Sequence, residues 1–406
     1  MRQHEIHGEQ LRGVVGMTRL GDVSDMLVGF AFKSEGFQDA DSDGVRLLRG
    51  DNVQQGYIRW GDKTKKWPSA QCDNLNRYQL AENDVILAMD RPIVGDGLKI
   101  AWIKSDDLPV LLVQRVCRIR GKEGMALTNF IRYVLAAPNF SAHIHRITTG
   151  ANIPHISGKD IAAYEFELPS LDDQARIVEC LSAYDDLIET NRRRIALLEE
   201  SARLLYREWF VQLRFPGHES VLVRDGMPVG WQLKPLADIA PLSYGKALKA
   251  SDRKKGEVPV YGSSGIVGTH DAALLDGGAI IVGRKGNVGS LFYSQIPCFP
   301  IDTVFYIAPA QASYWLFLAL HQLNFISSDA AVPGLNRTYA HSLPIVLPSK
   351  EVTTAFERLV QPMFEQSYNL IKQNEQLASA RDALLPQLMS GQLDVSSLPL
   401  HAAVAL

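Results

Sequence analysis

The sequence predicts an α+β protein in which two globular mixed α/β units are separated by two long helices that pair as an antiparallel coiled coil, with an internal pseudo-twofold repeat. Three observations predict it. Residues 168–210 carry an apolar seam at alternating steps of three and four, short apolar runs broken by Gly, Asp and Pro lie on either side, and the second half of the chain repeats the first.

The seam reads Leu181, Tyr184, Ile188, Asn191, Ile195, Leu198, Ala202, Leu205 and Trp209, a heptad pattern broken by one Asn and free of Gly and Pro. Glu189, Glu199 and Glu200 lie off it with Arg192, Arg193, Arg194, Arg203 and Arg207, so one face is apolar and the other charged. At about 1.5 Å per residue such a helix is on the order of 60 Å long and needs a partner for its seam. Leu168-Pro169 closes the unit before it, and Ser170 or Asp172 is placed to accept from the free amides of its first turn.

Length and composition agree with this organisation. The 406 residues exceed what one core usually serves, and 46% hydrophobic with 21% charged is ordinary globular usage, so a folded multidomain chain is expected. The opening MRQHEIHGEQ has no apolar stretch, and no run of roughly eighteen apolar residues occurs; neither a signal peptide nor a membrane span is expected, and a cytoplasmic location is. Cys72, Cys117, Cys180 and Cys298 stand singly, against a disulfide framework or structural zinc and in favour of small buried apolar side chains. The net charge of -3 is wrong for holding nucleic acid by general basicity but leaves room for local basic faces.

Taken in order, residues 1–170 form the first globular unit. Strands are expected at 45–48, 85–88 and 110–116, and a helix at 125–136. The central helix occupies 171–213. Residues 214–231, rich in Gly and Pro, read as a linker into a second unit that runs 214–349. A distal helix at 350–394 and a tail at 395–406 complete the chain.

The repeat rests on named residues. Leu347-Pro348-Ser349 follows Leu168-Pro169-Ser170 at an offset of 179, and Val332-Pro333 follows Ile153-Pro154 at the same offset. Carried onto the helix, that offset predicts a second seam at Val360, Met363, Ser367, Leu370, Asn374, Leu377, Arg381, Leu384 and Leu388. Leu20-Gly21-Asp22-Val23 matches Leu236-Ala237-Asp238-Ile239 at an offset of 216, so length varies in the globular parts and not in the helices. Asn191 has Asn374 or another polar seam residue as its expected partner, fixing the register. Two globular units on a pair of helices describe either a duplicated scaffold or a ruler with two reading heads, as a bipartite site on a duplex requires.

Catalytic motifs are missing. There is no GxxxxGK[ST], HExxH or GxSxG and no zinc-type spacing. The segment Ala137-Pro138-Asn139-Phe140 lacks the first Asn of the NPP[FY] motif of amino-methyltransferases and reads as a helix end, and the acids are too scattered to hold catalytic metal.

What recurs in both units is turns mixing Gly with basic and hydroxyl residues: 29–37 (GFAFKSEGF), 46–52 (RLLRGDN), 63–66 (KTKK) and 90–99 (DRPIVGDGLK) in the first, then 244–255 (YGKALKASDRKK), 261–269 (YGSSGIVGT), 283–289 (GRKGNVG) and 334–339 (GLNRTY) in the second. Cations neutralise phosphates, Gly permits close approach, and Arg, Asn, Ser and Tyr supply groups for base edges. Any one of these is more often a plain solvated turn; their recurrence points to DNA. His143 and His145 are expected in an exposed loop or strand, Asp302 in an apolar strand, and Arg192 to Arg194 on a solvated helix face.

Nearly the whole chain, about 20–393, resembles the specificity subunit of type I restriction-modification systems. The resemblance is carried by GFAFKSEGF, by LPSLDDQARIVECLSAYDDLIETNRRRIALLEE, by YGSSGIVGTHDAALLDGGAIIVGRKGNVGSLFY and by ARDALLPQLMSGQL, in the family's order. It implies two target recognition domains, each reading half of a split DNA sequence, and a non-catalytic subunit whose helices dock its partners. Those partners are two modification (methyltransferase) subunits and restriction/translocase subunits, with no membrane involved. No cofactor is expected in this chain: S-adenosylmethionine belongs to the methyltransferase subunit, ATP and Mg to the restriction subunit. The resemblance places Lys33, Ser34, Arg49, Arg91, Lys246, Ser263, Ser264, Arg284, Lys285, Asn287, Asn336 and Arg337 at or near DNA. The first unit's DRPIVGDG departs from the GRKGNVG pattern of the second, which leaves the role of Arg91 open.

Overall fold

The computed structural model describes residues 16–61, 64–94, 97–148, 155–325 and 334–395. Lys63, Ile153-Pro154 and Val332-Pro333, named above, lie outside them. The chain divides into two compact units, one made of the described residues up to Ile188 with those from Gln376 onward, the other of Glu189–Glu375.

Within the first unit, Gly16–Arg19 pairs antiparallel with Glu165–Leu168. A four-stranded sheet runs in the order Ser24–Val28, Val116–Gly121, Val85–Ala88, Ile100–Trp102. A three-stranded sheet runs Lys65–Trp67, Val45–Leu48, Val110–Leu112, the last two strands parallel. The second unit has the same plan. Gln232–Pro235 pairs with Pro344–Leu347; the four-stranded sheet is Ser243–Tyr244, Val304–Ile307, Ala279–Gly283, Leu291–Ser294; and the three-stranded sheet is Gly265–His270, Val258–Gly262, Phe299–Pro300, again ending in a parallel pair. The repeat that sequence shows in a few residues extends to strand order and to a parallel strand pair in each unit.

Each unit buries a helix against its sheet. Thr128–Ala136 turns Phe130, Ile131 and Val134 into the first core, and Tyr314–Leu320 turns Trp315, Leu316 and Ala319 into the second. Ala137 ends the first of these helices and Pro138 opens the next, Pro138–Thr148. His143 and His145 are therefore helical, a correction to the loop or strand expected. Proline suits a helix start, where no amide partner is lost, and Phe140, Ile144 and Thr148 then recur at the helical step into the core. His143 Nε2 donates to the Asp160 carbonyl at 3.0 Å. Asp302 lies in the turn ahead of Val304–Ile307, not in a strand. The segment 214–231 is likewise more than a linker: it contains a short hairpin, and Phe215 and Trp231 are buried with ring centroids 5.2 Å apart.

The central helix is Leu171–Tyr206 and continues as a π-helical turn, Arg207–Val211; the distal helix is Lys350–Met389. Ser170 caps the first, its Oγ accepting from the Asp173 amide at 3.2 Å, and Ser349 Oγ accepts weakly from Val352 at 3.4 Å at the start of the second. Leu181, Ile188, Asn191, Ala202 and Trp209 are buried and Tyr184, Ile195, Leu198 and Leu205 half-buried. On the distal helix Val360, Ser367, Leu370 and Leu388 are buried and Met363, Asn374, Leu377, Arg381 and Leu384 half-buried. Arg192, Arg193 and Arg194 are exposed.

The two helices are joined differently in each unit. In the second, Asn191 is fully buried and its Nδ2 donates to Asn374 Oδ1 and to Gln373 Oε1, both at 3.0 Å, so the Asn that breaks the seam meets the Asn of the other seam. Further along, Phe356 is sealed among Tyr206, Trp209 and Phe210 at centroid distances of 6.2, 5.6 and 4.9 Å. In the first unit Asp185 accepts from Arg381 Nη1 at 2.6 Å, from Arg132 Nη2 at 2.6 Å and from the Tyr133 hydroxyl at 2.8 Å. Arg132 also lies over Trp102, its Cζ 4.1 Å from the ring centroid. Burial pushes the Tyr133 hydroxyl up from its ordinary range, so it stays a donor. One carboxylate thus ties the distal helix and the first unit's core helix to the central helix.

Candidate nucleic-acid interface

The loops named from sequence sit on a backbone frame that both units share. In the first unit the Gly29 amide donates to the Val116 carbonyl at 3.1 Å and the Phe30 amide to Leu112 at 3.0 Å. In the second, Gly245 donates to Val304 at 3.1 Å and Lys246 to Pro300 at 3.0 Å. A Cβ on Gly29 would collide with the Val113 carbonyl and one on Gly245 with the Ile301 carbonyl, so both turns need glycine for close approach. Beside them, Met89 donates its amide to Arg115 and accepts from the Ile156 amide; Arg284 donates to Thr303 and accepts from Leu335. Ser157 caps the short helix Gly158–Ala162 as Asn336 caps Arg337–Ser342.

These equivalences match side chains position by position. Strands ending at Val28 and at Tyr244 pair with Cys117 and Phe305 at the same place in the two sheets. Where the first unit has Val28, Phe30, Met89 and Gly158, the second has Tyr244, Lys246, Arg284 and Arg337. The frame is common and the chemistry it presents is different.

In the second unit the structure gathers most of the expected residues. Arg284 and Arg337 both lie over the Tyr244 ring, with Cζ 5.0 and 4.8 Å from its centroid. Arg284 Nη1 donates to the Asp302 carbonyl at 3.2 Å. Asn287 Nδ2 donates to Ser264 Oγ at 3.1 Å, and Ser290 Oγ to the Ser263 carbonyl at 2.6 Å, which folds 283–289 onto the turn at 263–264. Gly286 and Gly289 hold φ of 79° and 77°, the left-handed region that lets this loop turn tightly. Lys246, Lys285, Asn287 and Arg337 are exposed and Arg284 half-buried. The Asn336 oxygen is committed to the fold, accepting from the Tyr339 amide at 3.2 Å.

The first unit is less concentrated. Lys33 and Ser34 are exposed at the turn Ser34–Gly36. Arg49 lies near the Phe37 ring, 5.9 Å from Cζ to centroid, and 3.6 Å from an Asp51 oxygen. The turn after it is tied to the 90–99 hairpin by Lys99, whose Nζ donates to the Gly50 carbonyl at 3.4 Å. Arg91 is exposed with φ of 44°, in the hairpin that corresponds by strand order to 283–289. Gly95 and Asp96 of that hairpin lie outside the described residues. Other basic residues of the expected turns serve the fold: Arg46 donates to the carbonyls of Asp106 and Leu108 and stacks on Trp60, and Lys66 Nζ donates to the Ser42 carbonyl at 2.7 Å.

Sequence reasoning misses three groups here. Arg115, with φ of 66°, is mostly exposed and ion-paired at 2.9 Å to Asp90. His155 meets the same carboxylate. Tyr244 is marked in the sequence only as part of a turn. An isolated X-Arg-Val or a Tyr before Gly carries no signal, and only the three-dimensional equivalence of the two units singles these positions out. Among the described residues no cluster of His, Cys, Asp or Glu is arranged to hold a metal ion, and no helix is long and apolar enough to cross a membrane.

Two readers on one frame, each with its own side chains at the loop ends, define a two-headed recognition protein. The sequence model of the type I restriction modification DNA specificity domain matches residues 15–200 and 228–361, and the chain belongs to that family. It is 37% identical over 174 residues to the type I restriction enzyme EcoAI specificity subunit of Escherichia coli, a match covering 42% of this chain and 28% of that protein. To the MjaIX specificity subunit of Methanocaldococcus jannaschii it is 25% identical over 333 residues, 74% of this chain and 76% of that one. Among solved structures, the type I restriction-modification system S subunit from M. genitalium shares the fold with a TM-score of 0.56 at 18% identity, over 94% of this chain and 98% of that chain.

Proposed function

We propose that this chain is the DNA-specificity subunit of a type I restriction-modification complex, binding a bipartite duplex site with one half-site per unit and carrying no catalytic centre of its own. The observation that carries the reading is the shared frame with divergent side chains. Identical readers would suit a symmetric site; readers alike in backbone and different at Val28/Tyr244, Phe30/Lys246, Met89/Arg284 and Gly158/Arg337 suit two unlike half-sites. Adenine methylation and cleavage then belong to two modification subunits and to restriction subunits, with S-adenosylmethionine, ATP and Mg bound there. The long helices are the docking surface: outside the seam the central helix exposes Leu197, Leu204 and Val211 at heptad spacing, an apolar stripe fit for a partner helix.

The test is reconstitution. The purified chain alone neither consumes S-adenosylmethionine nor cleaves DNA, and with its methyltransferase partner it confers sequence-specific adenine methylation. Consumption of S-adenosylmethionine by the isolated chain would sink the assignment, and binding that ignores DNA sequence and persists in high salt would favour a scaffold.

The paired helices act in this reading as the spacer that sets the interval between half-sites. A buried Asn at a seam position costs stability and selects register. Slipping one heptad moves a helix by about 10 Å, about three base pairs of duplex. Asn191→Leu is therefore expected to leave both half-site sequences unchanged while shifting or broadening the tolerated spacing in methylation assays on spacer-length libraries. Lost base specificity with spacing intact would contradict this role.

A further inference from the structure

We propose that Tyr244 is a positioning residue of the second unit's DNA face, holding Arg284 to read a guanine edge and Arg337 to grip the adjoining phosphate backbone. The proposal rests on the functional reading above. Its basis is the way the two guanidiniums are held.

The Tyr244 ring, 48% exposed, packs against the fully buried Phe305 with centroids 4.9 Å apart. Arg284 lies over both rings, its Cζ 5.0 Å from Tyr244 and 5.7 Å from Phe305. One of its nitrogens is tethered to the Asp302 carbonyl, and its own amide and carbonyl are locked into the sheet frame by Thr303 and Leu335. A guanidinium held by two rings and a carbonyl has less rotamer freedom left to lose. That is what a bidentate contact to O6 and N7 of guanine needs, because direct readout depends on fixed geometry. Arg337 is exposed, and the Tyr244 ring, 4.8 Å from its Cζ, leaves its chain freer to follow a phosphate, which is recognised by charge more than by position.

The first unit lacks the device. Val28 stands in place of Tyr244 and Gly158 in place of Arg337, and Arg115, whose carbonyl accepts from the Met89 amide at this end, has its side chain held by the carboxylate of Asp90. The two half-sites are thus gripped by different means.

The experiment uses the chain assembled with its methyltransferase partner, measuring binding and methylation on duplexes altered one base pair at a time and over a range of salt. Arg284→Ala is expected to lose, on the order of tenfold or more, discrimination at one base pair of a single half-site. Arg337→Ala is expected to weaken binding evenly across sequences and lower the salt slope by about one. Tyr244→Val, which installs the first unit's residue, is expected to do both, and Tyr244→Phe, which keeps the ring, neither; retained discrimination at the remaining base pairs of the same half-site shows that the second unit folds in each variant. Equal losses in the Val and Phe variants would overturn the positioning role. An Arg284→Ala change confined to the salt slope would overturn the guanine assignment. Indifference of the unaltered complex to DNA sequence would overturn the functional reading and this assignment with it.

Discussion

Asp185→Ala is expected to destabilise the chain by about 3–5 kcal/mol, the usual cost of removing one partner from a buried ion pair. Asp185 and Arg132 are each 9% exposed at the side chain, and Arg381 27%. Without the carboxylate, the buried Arg132 guanidinium loses its counter-charge, Arg381 keeps only its pairing with Asp382, and the Tyr133 hydroxyl loses its acceptor. Burial cost alone would make the cluster an indifferent source of stability, since a well-packed apolar substitute is often as good. Its value is geometric: it joins three elements at one point of the first unit. Asp185→Asn keeps one acceptor oxygen and is expected to lose less. Urea unfolding followed by tryptophan fluorescence, to which Trp102 beneath Arg132 contributes, checks both; a loss below about 1 kcal/mol for the alanine variant would show that water replaces the carboxylate.

Phe356→Ala is expected to cost a similar amount, about 3–5 kcal/mol, by a different route. The ring is fully buried among Tyr206, Trp209 and Phe210, and its removal leaves a cavity that three rigid rings cannot close. Next to it, the Glu357 carboxylate accepts from the Trp315 amide at 2.6 Å and, at 3.4 Å, from Tyr314, so movement of this turn also uncaps the second unit's core helix. The two junctions therefore differ in kind, ionic in the first unit and aromatic in the second. The same unfolding assay repeated across salt concentrations separates them: the Phe356→Ala loss is expected to be insensitive to salt, and a Phe356→Leu variant to recover most of it.

The periodic parts of this protein are legible in its sequence for a physical reason. A helix pairing with one long partner must keep its apolar residues on a 3.5-residue step, so the spacing of Leu181 to Trp209 is enough to reveal a seam. The duplication can be read at Leu-Pro-Ser and at the LGDV/LADI pair because a strand end, a cap and a helix start each demand particular residues. Contacts between residues far apart in the chain leave no such mark. Arg381 looks like a polar flaw in the second seam, and nothing local says that Asp185, 196 residues away, receives it. Phe215 and Trp231 are hidden in a Gly- and Pro-rich stretch whose composition says turn and whose aromatics say core. Tyr244 is the least visible, because its importance lies in a comparison with Val28 that requires both sheets to be laid strand on strand.

The proposal that the two units read two separate half-sites is tested by mapping methylated adenines at base resolution in DNA modified by this chain together with the methyltransferase subunit proposed as its partner. One motif in two specified parts is expected, unlike in sequence and separated by an unspecified interval of fixed length. Methylation at a single uninterrupted motif, or at adenines sharing no motif, would contradict it.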